Sequence, residues 1–462
     1  MKIFLVKPGI KLSDHIQPPL GLGYIAASII ANTGAEVSII DLPKNGNKAT
    51  VLFDRIKSEH PDIVGIQCYS PEISVVKSLL THIKAINAGI ITVVGGPHPT
   101  LLPDETMRYF GKDVDFLITG EAERSFVSFI RHLENKTDIK DVEGIVWRET
   151  DIVKKNAPGF IENVNNLPLP AWQLIKPDEY PPSQHGAFYN KFPIAPIVTT
   201  RGCPFSCEFC SAPLLSGRKI RSRSADSIIE EINLLYHNFG IREIHIVDDN
   251  FTIDKNHAKN VLQRIIENGR DISISFPNGV RIESLDEELL ELMKRAGVYL
   301  ISVGIESGTN EVLKAMKKSL TVAMIREKMK LINKFRIDTA GFFVIGFPGE
   351  TVEQIKKTIR FSLELNLIRA NYFNFIPLPK TPVFEKLKAK GELRDVNWDT
   401  FLFITTPYLS SMLHGTKLRS LQREAFRRFY FRPSILFRNI TKIRSLTHLK
   451  YLLRRFYHWI LY

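Results

Sequence analysis

Three of the chain's four cysteines fall within eight residues, in the segment Arg201-Gly-Cys-Pro-Phe-Ser-Cys-Glu-Phe-Cys210. Thiolates at this C-x3-C-x2-C spacing are soft metal ligands. A structural zinc ion closes with four ligands, and a cubane iron–sulfur cluster also takes four. Three cysteines therefore leave one metal corner open, and an open corner is where an outside group can bind and react. Two plainer readings compete. Cysteine packs well as a small hydrophobe, yet core packing does not crowd three of them into one loop with Gly202 and Pro204. A zinc ion could borrow a histidine, but no second knuckle matches, and Cys68 lies far away in sequence. The spacing and the open corner favour an iron–sulfur cluster.

The surrounding chain must hold that loop. From residue 194 onward, short apolar runs at 194–199, 244–247, 272–276, 299–303, 339–345 and 371–376 alternate with helix-length segments. Six strand–helix repeats fit a partial (β/α)6 barrel, with Cys203 directly after the first strand. Barrel sites form at the carboxyl ends of strands, and other candidates fall there. Asp248-Asp249-Asn250-Phe251 follows the second strand, although Asp and Asn also suit a plain helix cap. Gly304-Ile-Glu-Ser-Gly308 follows the fourth, with Glu306 suited to accept from sugar hydroxyls. Gly341-Phe-Phe-Val-Ile-Gly-Phe-Pro-Gly-Glu350 forms and follows the fifth, with Glu350 expected to open the next helix against its dipole.

The first ~135 residues alternate in the same way. Apolar runs at 2–6, 36–40, 62–66, 90–94 and 115–118 are separated by helical stretches such as 22–31 and 73–86. This order predicts an α/β domain with a parallel sheet, whose ligands sit beyond the carboxyl ends of the strands. The special loops fall there: Pro18-Pro-Leu-Gly-Leu-Gly-Tyr24, Gln67-Cys-Tyr-Ser-Pro71 and Gly95-Gly-Pro-His-Pro-Thr100. A hairpin is expected over 143–156. Eight prolines between Pro158 and Pro196 exclude regular helix or central strand there and predict a crossing linker.

The cysteine triad resembles that of the radical S-adenosylmethionine (SAM) enzymes. The resemblance implies a 4Fe–4S cluster on Cys203, Cys207 and Cys210, with SAM chelating the open iron and being cleaved reductively to a 5′-deoxyadenosyl radical. Phe209 fits the aromatic that packs near the adenine in that superfamily. Asp248, Glu306, Ile345 and Gly346 are the further SAM contacts it implies, and an external low-potential electron donor is required. Pro377-Leu-Pro-Lys-Thr381 departs from the usual Pro-Gly-Thr, with Lys380 in place of glycine. The first half resembles the cobalamin-binding domain of one class of these enzymes, the class B methyltransferases and anaerobic oxidative cyclases. The resemblance rests on Pro19-Leu-Gly-Leu-Gly-Tyr-Ile-Ala-Ala27, Ser70, Gly95-Gly-Pro-His98 and Gly120-Glu-Ala-Glu123. It implies a flavodoxin-like (Rossmann-like) fold with Gly21, Ser70, Gly95 and Gly96 at cobalamin. The Asp-x-His-x-x-Gly cobalt-ligand motif is absent: Asp14 and His15 are adjacent. No histidine is therefore expected below the cobalt, and His98, between two prolines, is expected to be satisfied locally by backbone.

Four domains follow: a cobalamin-binding-like domain at 1–140, a hairpin and Pro-rich linker at 141–193, a radical SAM core at 194–400 and a basic helical extension at 401–462. The net charge of +13 belongs mostly to the last of these, because residues 417–462 hold twelve Lys/Arg against Glu424 alone. Amphipathic spacing of Leu418, Leu421, Ala425 and Phe429, continued by Leu449, Leu452, Leu453, Phe456 and Ile460, predicts helices that cap the barrel or meet an anionic membrane. No nucleic-acid module accompanies the charge, so no nucleic-acid partner is expected. Uncommitted cysteines are too few for a disulfide framework, and the N-terminus reads as a strand, so a reducing cytoplasm is expected, with contact to the inner membrane face through the basic tail. No stretch reaches ~18 apolar residues, so no spanning helix is expected.

The combined expectation is a cobalamin-dependent radical SAM enzyme that methylates an unactivated carbon of a small molecule, with a lipid or isoprenoid suggested only by the tail. The alternatives are oxidative cyclisation and, in a different class, a non-catalytic cobalamin sensor or redox partner. Methylthiolation needs a second cluster, for which Cys68 alone remains.

Overall fold

A computed structural model describes the chain except residues 11–15, 183–187, 394–395, 403–404, 410–412, 414, 447, 451 and 454–462. Asp14, His15, Phe456 and Ile460 thus lie outside the described residues. The chain divides into two compact units, Met1–Tyr180 with Ser211–Arg221, and Pro181–Cys210 with Ser222–Tyr462.

The first unit carries strands β1 (Lys2–Lys7), β2 (Glu36–Asp41), β3 (Ile63–Gln67), β4 (Ile91–Gly95), β5 (Phe116–Ile118), β6 (Ile145–Glu149) and β7 (Ile152–Lys155). They form one sheet in the order β2-β1-β3-β4-β5-β6-β7. The first five are parallel and the last two antiparallel. Ile3, Phe4, Leu5 and Val6 are all buried, as expected of a strand covered on both faces. Helices Leu20–Asn32 and Ala122–Leu133 share one core with that sheet through Leu22, Ala26, Ile29, Phe126, Phe129 and Ile130. The expected hairpin is present, but it is not linker: β6 pairs with β5 and lengthens the sheet. Sequence could not show this, because an antiparallel edge pairing depends on which side of the sheet the chain returns to.

In the second unit, β8 (Ile194–Ile197), β9 (Glu243–Ile246), β10 (Ser273–Val280), β11 (Val298–Glu306), β12 (Asp338–Ile345) and β13 (Arg369–Asn374) form a parallel sheet in consecutive order. This is the expected open (β/α)6 barrel. Its outer helices begin where the sequence caps them: Ser224, Asp254, Asp286, Thr321 and Thr351 each accept from a backbone N–H of the following turn. Helix Gly415–Tyr430 buries Leu418, Leu421, Ala425 and Phe429. Its Gln422 bonds the Asn374 side chain at 3.0 Å and the Tyr372 carbonyl at 2.7 Å. The first tail helix is therefore part of the barrel wall. No helix among the described residues is long and apolar enough to cross a membrane.

Candidate active site

The cysteine loop leaves β8 through Thr199 and Thr200. Asp248, at the end of β9, is buried and accepts from the Thr199 amide at 2.6 Å, the Thr199 hydroxyl at 2.5 Å and the Thr200 hydroxyl at 2.8 Å. Burial pushes its carboxyl up to about 6, against those hydrogen bonds. Both oxygens are thus engaged in fastening the strand end that precedes the cysteines. The neighbouring Asp249 is the acid whose charge reaches Cys203.

Cys203, Cys207 and Cys210 are all half-buried and none is in a disulfide. Between them, Glu208 points inward and locks the loop. Its amide donates to the Met316 carbonyl at 3.0 Å, and its carbonyl accepts from the Val383 amide at 3.1 Å. Its oxygens meet Lys317 at 2.7 Å and Lys386 at 2.8 Å. Burial works to raise this carboxyl, but the two lysines hold it below its usual range. Phe205 lies under the Arg281 guanidinium, 3.5 Å from ring centroid. Sequence reading passed over Glu208, although its place between two cysteines was a signal.

Glu306 closes β11 with φ 64° and pairs at 2.8 Å with Lys318, whose side chain is 11% exposed. Burial opposes the Lys318 charge, but Glu306 and Cys207 together hold its pKa above the usual value. A Cβ at Gly304 would lie 2.5 Å from the Glu306 carboxylate and 2.9 Å from Lys318 Nζ, so a side chain there would have to displace the pair. The structure thus gathers Cys203, Cys207, Asp249, Arg281, Glu306 and Lys318. Arg281 and Lys318 were missed, because a lone basic residue after a strand or helix carries no motif.

At the end of β12, Gly346 has φ 80°, and a Cβ there would lie 2.7 Å from Leu418. Ile345 is fully buried, whereas Val344 is half-buried and shares a cluster with Phe209, Phe347, Phe375 and Tyr408. Phe209 and Val344 thus pack against the same cluster, while Ile345, expected to face the adenine, is itself fully buried. Strand alternation makes the step from Val344 to Ile345 a change of face. Glu350 does not open the next helix, whose cap is Thr351. It folds back to accept from the Gly346 amide at 2.7 Å and the Phe347 amide at 3.2 Å. Burial pushes its carboxyl up to about 8 despite those two donors.

In the first unit the direction of strand order reverses at β1 and β3, a switch point where doubly wound sheets take ligands. Gly96 has φ 105°, and a Cβ there would lie 3.0 Å from the Cys68 carbonyl oxygen and 3.1 Å from its amide nitrogen. A Cβ at Gly95 would lie 3.3 Å from the Ile118 carbonyl. Ser70 is buried with its hydroxyl 3.0 Å from His98 Nδ1. Burial lowers His98 to about 4, so the imidazole is neutral. Its side-chain partner is thus a hydroxyl, while its amide donates to the Cys68 carbonyl at 3.1 Å. Gly21 is exposed in the first turn of its helix, with nothing within 4 Å of a built Cβ. Gly23 is the tight one, 2.5 Å from Ile175 by the same measure. Glu121 of the Gly120–Glu123 motif grips Arg221 through both oxygens, at 2.6 and 2.9 Å.

Two groups near the switch point escaped sequence reading. Lys7, buried at the end of β1, donates to the Gln17 carbonyl at 2.6 Å and lies 3.6 Å from Asp41. Glu72 accepts from the Tyr69 amide at 2.8 Å and is pushed up to about 7 by burial, against that amide and Lys7.

Among the described residues no three His, Cys, Asp or Glu side chains converge on a single ion. Gly95 and Gly96 press on the backbone of Ile118 and Cys68, so that the loops after β3 and β4 pack backbone to backbone at the switch point.

Comparison with known proteins agrees. The Radical SAM superfamily matches residues 197–362, and the B12 binding domain matches residues 9–130. The chain belongs to the cobalamin-dependent radical SAM enzymes, whose cofactors are a 4Fe–4S cluster, SAM and cobalamin. It is 31% identical over 446 residues to an uncharacterized methyltransferase of Pyrococcus horikoshii, covering 95% of each chain. It is 25% identical to the anaerobic magnesium-protoporphyrin IX monomethyl ester cyclase of Rubrivivax gelatinosus, over 92% of this chain and 76% of that one. The solved structure of the cobalamin-dependent S-adenosylmethionine radical enzyme OxsB, with aqua-cobalamin and S-adenosylmethionine bound, shares the fold. Its TM-score is 0.77 at 17% identity, covering 99% of this chain and 71% of that one. A small-molecule substrate and an external electron donor fit this family's chemistry.

Proposed function

We propose that this enzyme methylates an unactivated carbon, with Cys203, Cys207 and Cys210 holding the cluster. The observation that carries the reading is the gathering of the cysteine loop, Glu306 and Lys318 in one unit of a chain whose other unit offers a glycine-lined switch point. When bound, the cluster supplies the electron that cleaves SAM, and cobalamin carries the methyl group. The chain's own residues bind and orient. Glu306 is the acceptor for sugar hydroxyls, held in place by its ion pair with Lys318. Phe209 and Val344 form an apolar wall beside Gly346, while buried Ile345 holds the strand from behind. Asp248 acts through Thr199 and Thr200 to aim the loop. Gly95 and Gly96 let the backbone approach cobalamin, Ser70 fixes the neighbouring turn through His98, and Gly21 leaves space at the helix start.

The test is anaerobic reconstitution with iron, sulfide and cobalamin, followed by SAM and a low-potential reductant. 5′-Deoxyadenosine is expected even without substrate, and its absence would sink the radical reading. Failure to retain cobalamin would remove methyl transfer alone. Cyclisation without methyl transfer is the second reading, favoured by the cyclase relative. It predicts deoxyadenosine without S-adenosylhomocysteine once the substrate is present.

The suggestion of a lipid or isoprenoid substrate, with contact to an anionic membrane, has its own support. Phe431, Phe437, Ile440 and Leu446 are 59%, 70%, 62% and 78% exposed on and around helix Pro433–Ile440, near Arg428, Arg438 and Arg444 in sequence. Such a basic and apolar surface suits interfacial binding. Phe437→Ser with Ile440→Ser should reduce binding to phosphatidylglycerol vesicles at least tenfold, and unchanged binding would remove the idea.

A further inference from the structure

The amino ends of the barrel strands, opposite the ends that carry the cysteine loop, hold a cluster of charge that the chemistry above does not use. Arg369 opens β13 and is 7% exposed, and its Nε is buried without a hydrogen-bond partner among the described residues. Burial lowers its pKa, and the groups raising it are the phenols Tyr430 and Tyr299. Every nearby acid is already committed. Asp338 is taken by Arg438 at 3.0 Å and by Lys442. Glu243 accepts from the Asn190 amide at 2.7 Å, the Lys191 amide at 2.6 Å and the Tyr299 hydroxyl at 2.6 Å, and meets His245 at 2.8 Å. A buried guanidinium without a counter-charge is costly.

Arg369 lines a partly open cavity of 20 Å³ together with Tyr299, Asp338, Lys442, Arg444 and Tyr189. That volume admits one oxygen-sized group, with the rest of an ion at the mouth. Lys442 and Arg444 come from the basic tail, and Arg444 donates to the Asn190 side chain at 2.9 Å. Three cations thus border a small cavity whose acidic lining residue is already doubly paired.

We infer that this cavity binds a phosphate-type oxyanion. One oxygen meets Arg369, and the others meet Arg444 and Lys442. Planar guanidinium groups suit such acceptors. The bound anion neutralises Arg369 and fastens the tail to the barrel, so part of the tail's charge serves an internal ligand.

The ion could be free phosphate or a lipid headgroup, and the test separates them. The reconstituted full-length protein is titrated with inorganic phosphate at constant ionic strength, with chloride as the control, and unfolding is followed. A saturable rise of roughly 2–6 °C is expected, with slower tryptic cleavage after Lys442 and Arg444. Arg444→Gln should remove most of the rise. Arg369→Met should melt at or above the wild type in chloride, because a buried unpaired charge has gone, and below it in phosphate. No phosphate effect, but Arg369-dependent binding to phosphatidylglycerol vesicles, would assign the oxyanion to a lipid. No response to either, or an equal response in both variants, would overturn the site.

Discussion

The carboxyl ends of the two parallel sheets are fastened in different ways. In the first unit the loops after β3 and β4 lock to each other mainly through backbone, with Gly96 pressed on Cys68 and His98 held by the Cys68 carbonyl and Ser70. In the second unit buried carboxylates do the fastening: Glu208, Asp248, Glu306 and Glu350 each tie one strand end or loop. Backbone contact makes a fixed shape, which suits a large ligand that arrives fully formed. Carboxylates set charge as well as shape, which suits a site where thiolates, a cationic cosubstrate and electrons must be balanced.

The cysteines test the second half of that contrast most severely. Alanine at Cys203, Cys207 or Cys210 should reduce iron content and deoxyadenosine formation to background. Cys68→Ala, in the backbone-locked region, should keep full iron, at a stability cost of ~1 kcal/mol for a smaller buried side chain. Loss of iron in Cys68→Ala would break the contrast.

Next come the locks themselves. Glu208→Ala strands two lysines that are themselves well exposed, so about 1–3 kcal/mol is expected after solvent screening. Iron loading should fall with it. Gly96→Ala should cost a similar ~1–3 kcal/mol from strain and close contact, and should lower cobalamin retention while leaving iron unchanged. Chemical unfolding with parallel metal and cobalamin assays separates the two.

pH gives a smaller effect with a definite sign. Glu350 titrates near 8 when folded, against a model-peptide value of 4.5, so the folded state binds the extra proton between those values. Its contribution is full below about 4.5 and is lost as pH rises through 8. Glu350→Gln keeps an acceptor oxygen for the Gly346 and Phe347 amides without the titration. The stability advantage of the wild type over this variant should fall between pH 6 and pH 8.5, and a flat difference would show the carboxyl to be ionised throughout. His98 in the first unit has the opposite sign: its folded value near 4 means stability is lost as pH falls below 6.5.

Much of this was legible beforehand, and the reasons differ by region. The strands of both units fall within a few residues of their apolar runs, because a parallel strand buried on both faces must be continuously apolar. The cysteine loop was legible because its ligands are adjacent in sequence. Glu208–Lys386 spans 178 residues and Arg221–Glu121 spans 100, and no local pattern encodes such pairs. Which of Val344 and Ile345 faces a given side turns on strand phase, which the apolar run at 342–345 does not define. Glu350 was read as opening a helix and instead folds back on the Gly346 amide, while Asp248, read as a site or cap residue, is bonded to Thr199 and Thr200; burial as well as residue type decides what a carboxylate does.

The least effect belongs to the one cobalamin candidate that nothing touches. Gly21 lies in a helix with open space around it, so steric need does not account for a glycine. Alanine in a helix is favoured over glycine by about 0.5–1 kcal/mol, less in the first turn. Gly21→Ala should therefore raise stability slightly in cobalamin-free protein. If the open space is where the corrin approaches, the same variant should bind cobalamin more weakly, and the gain should vanish in loaded protein. A variant that is more stable both with and without cobalamin would take Gly21 out of the cradle. The first-unit site would then rest on the loops after β3 and β4, where the backbone locks are.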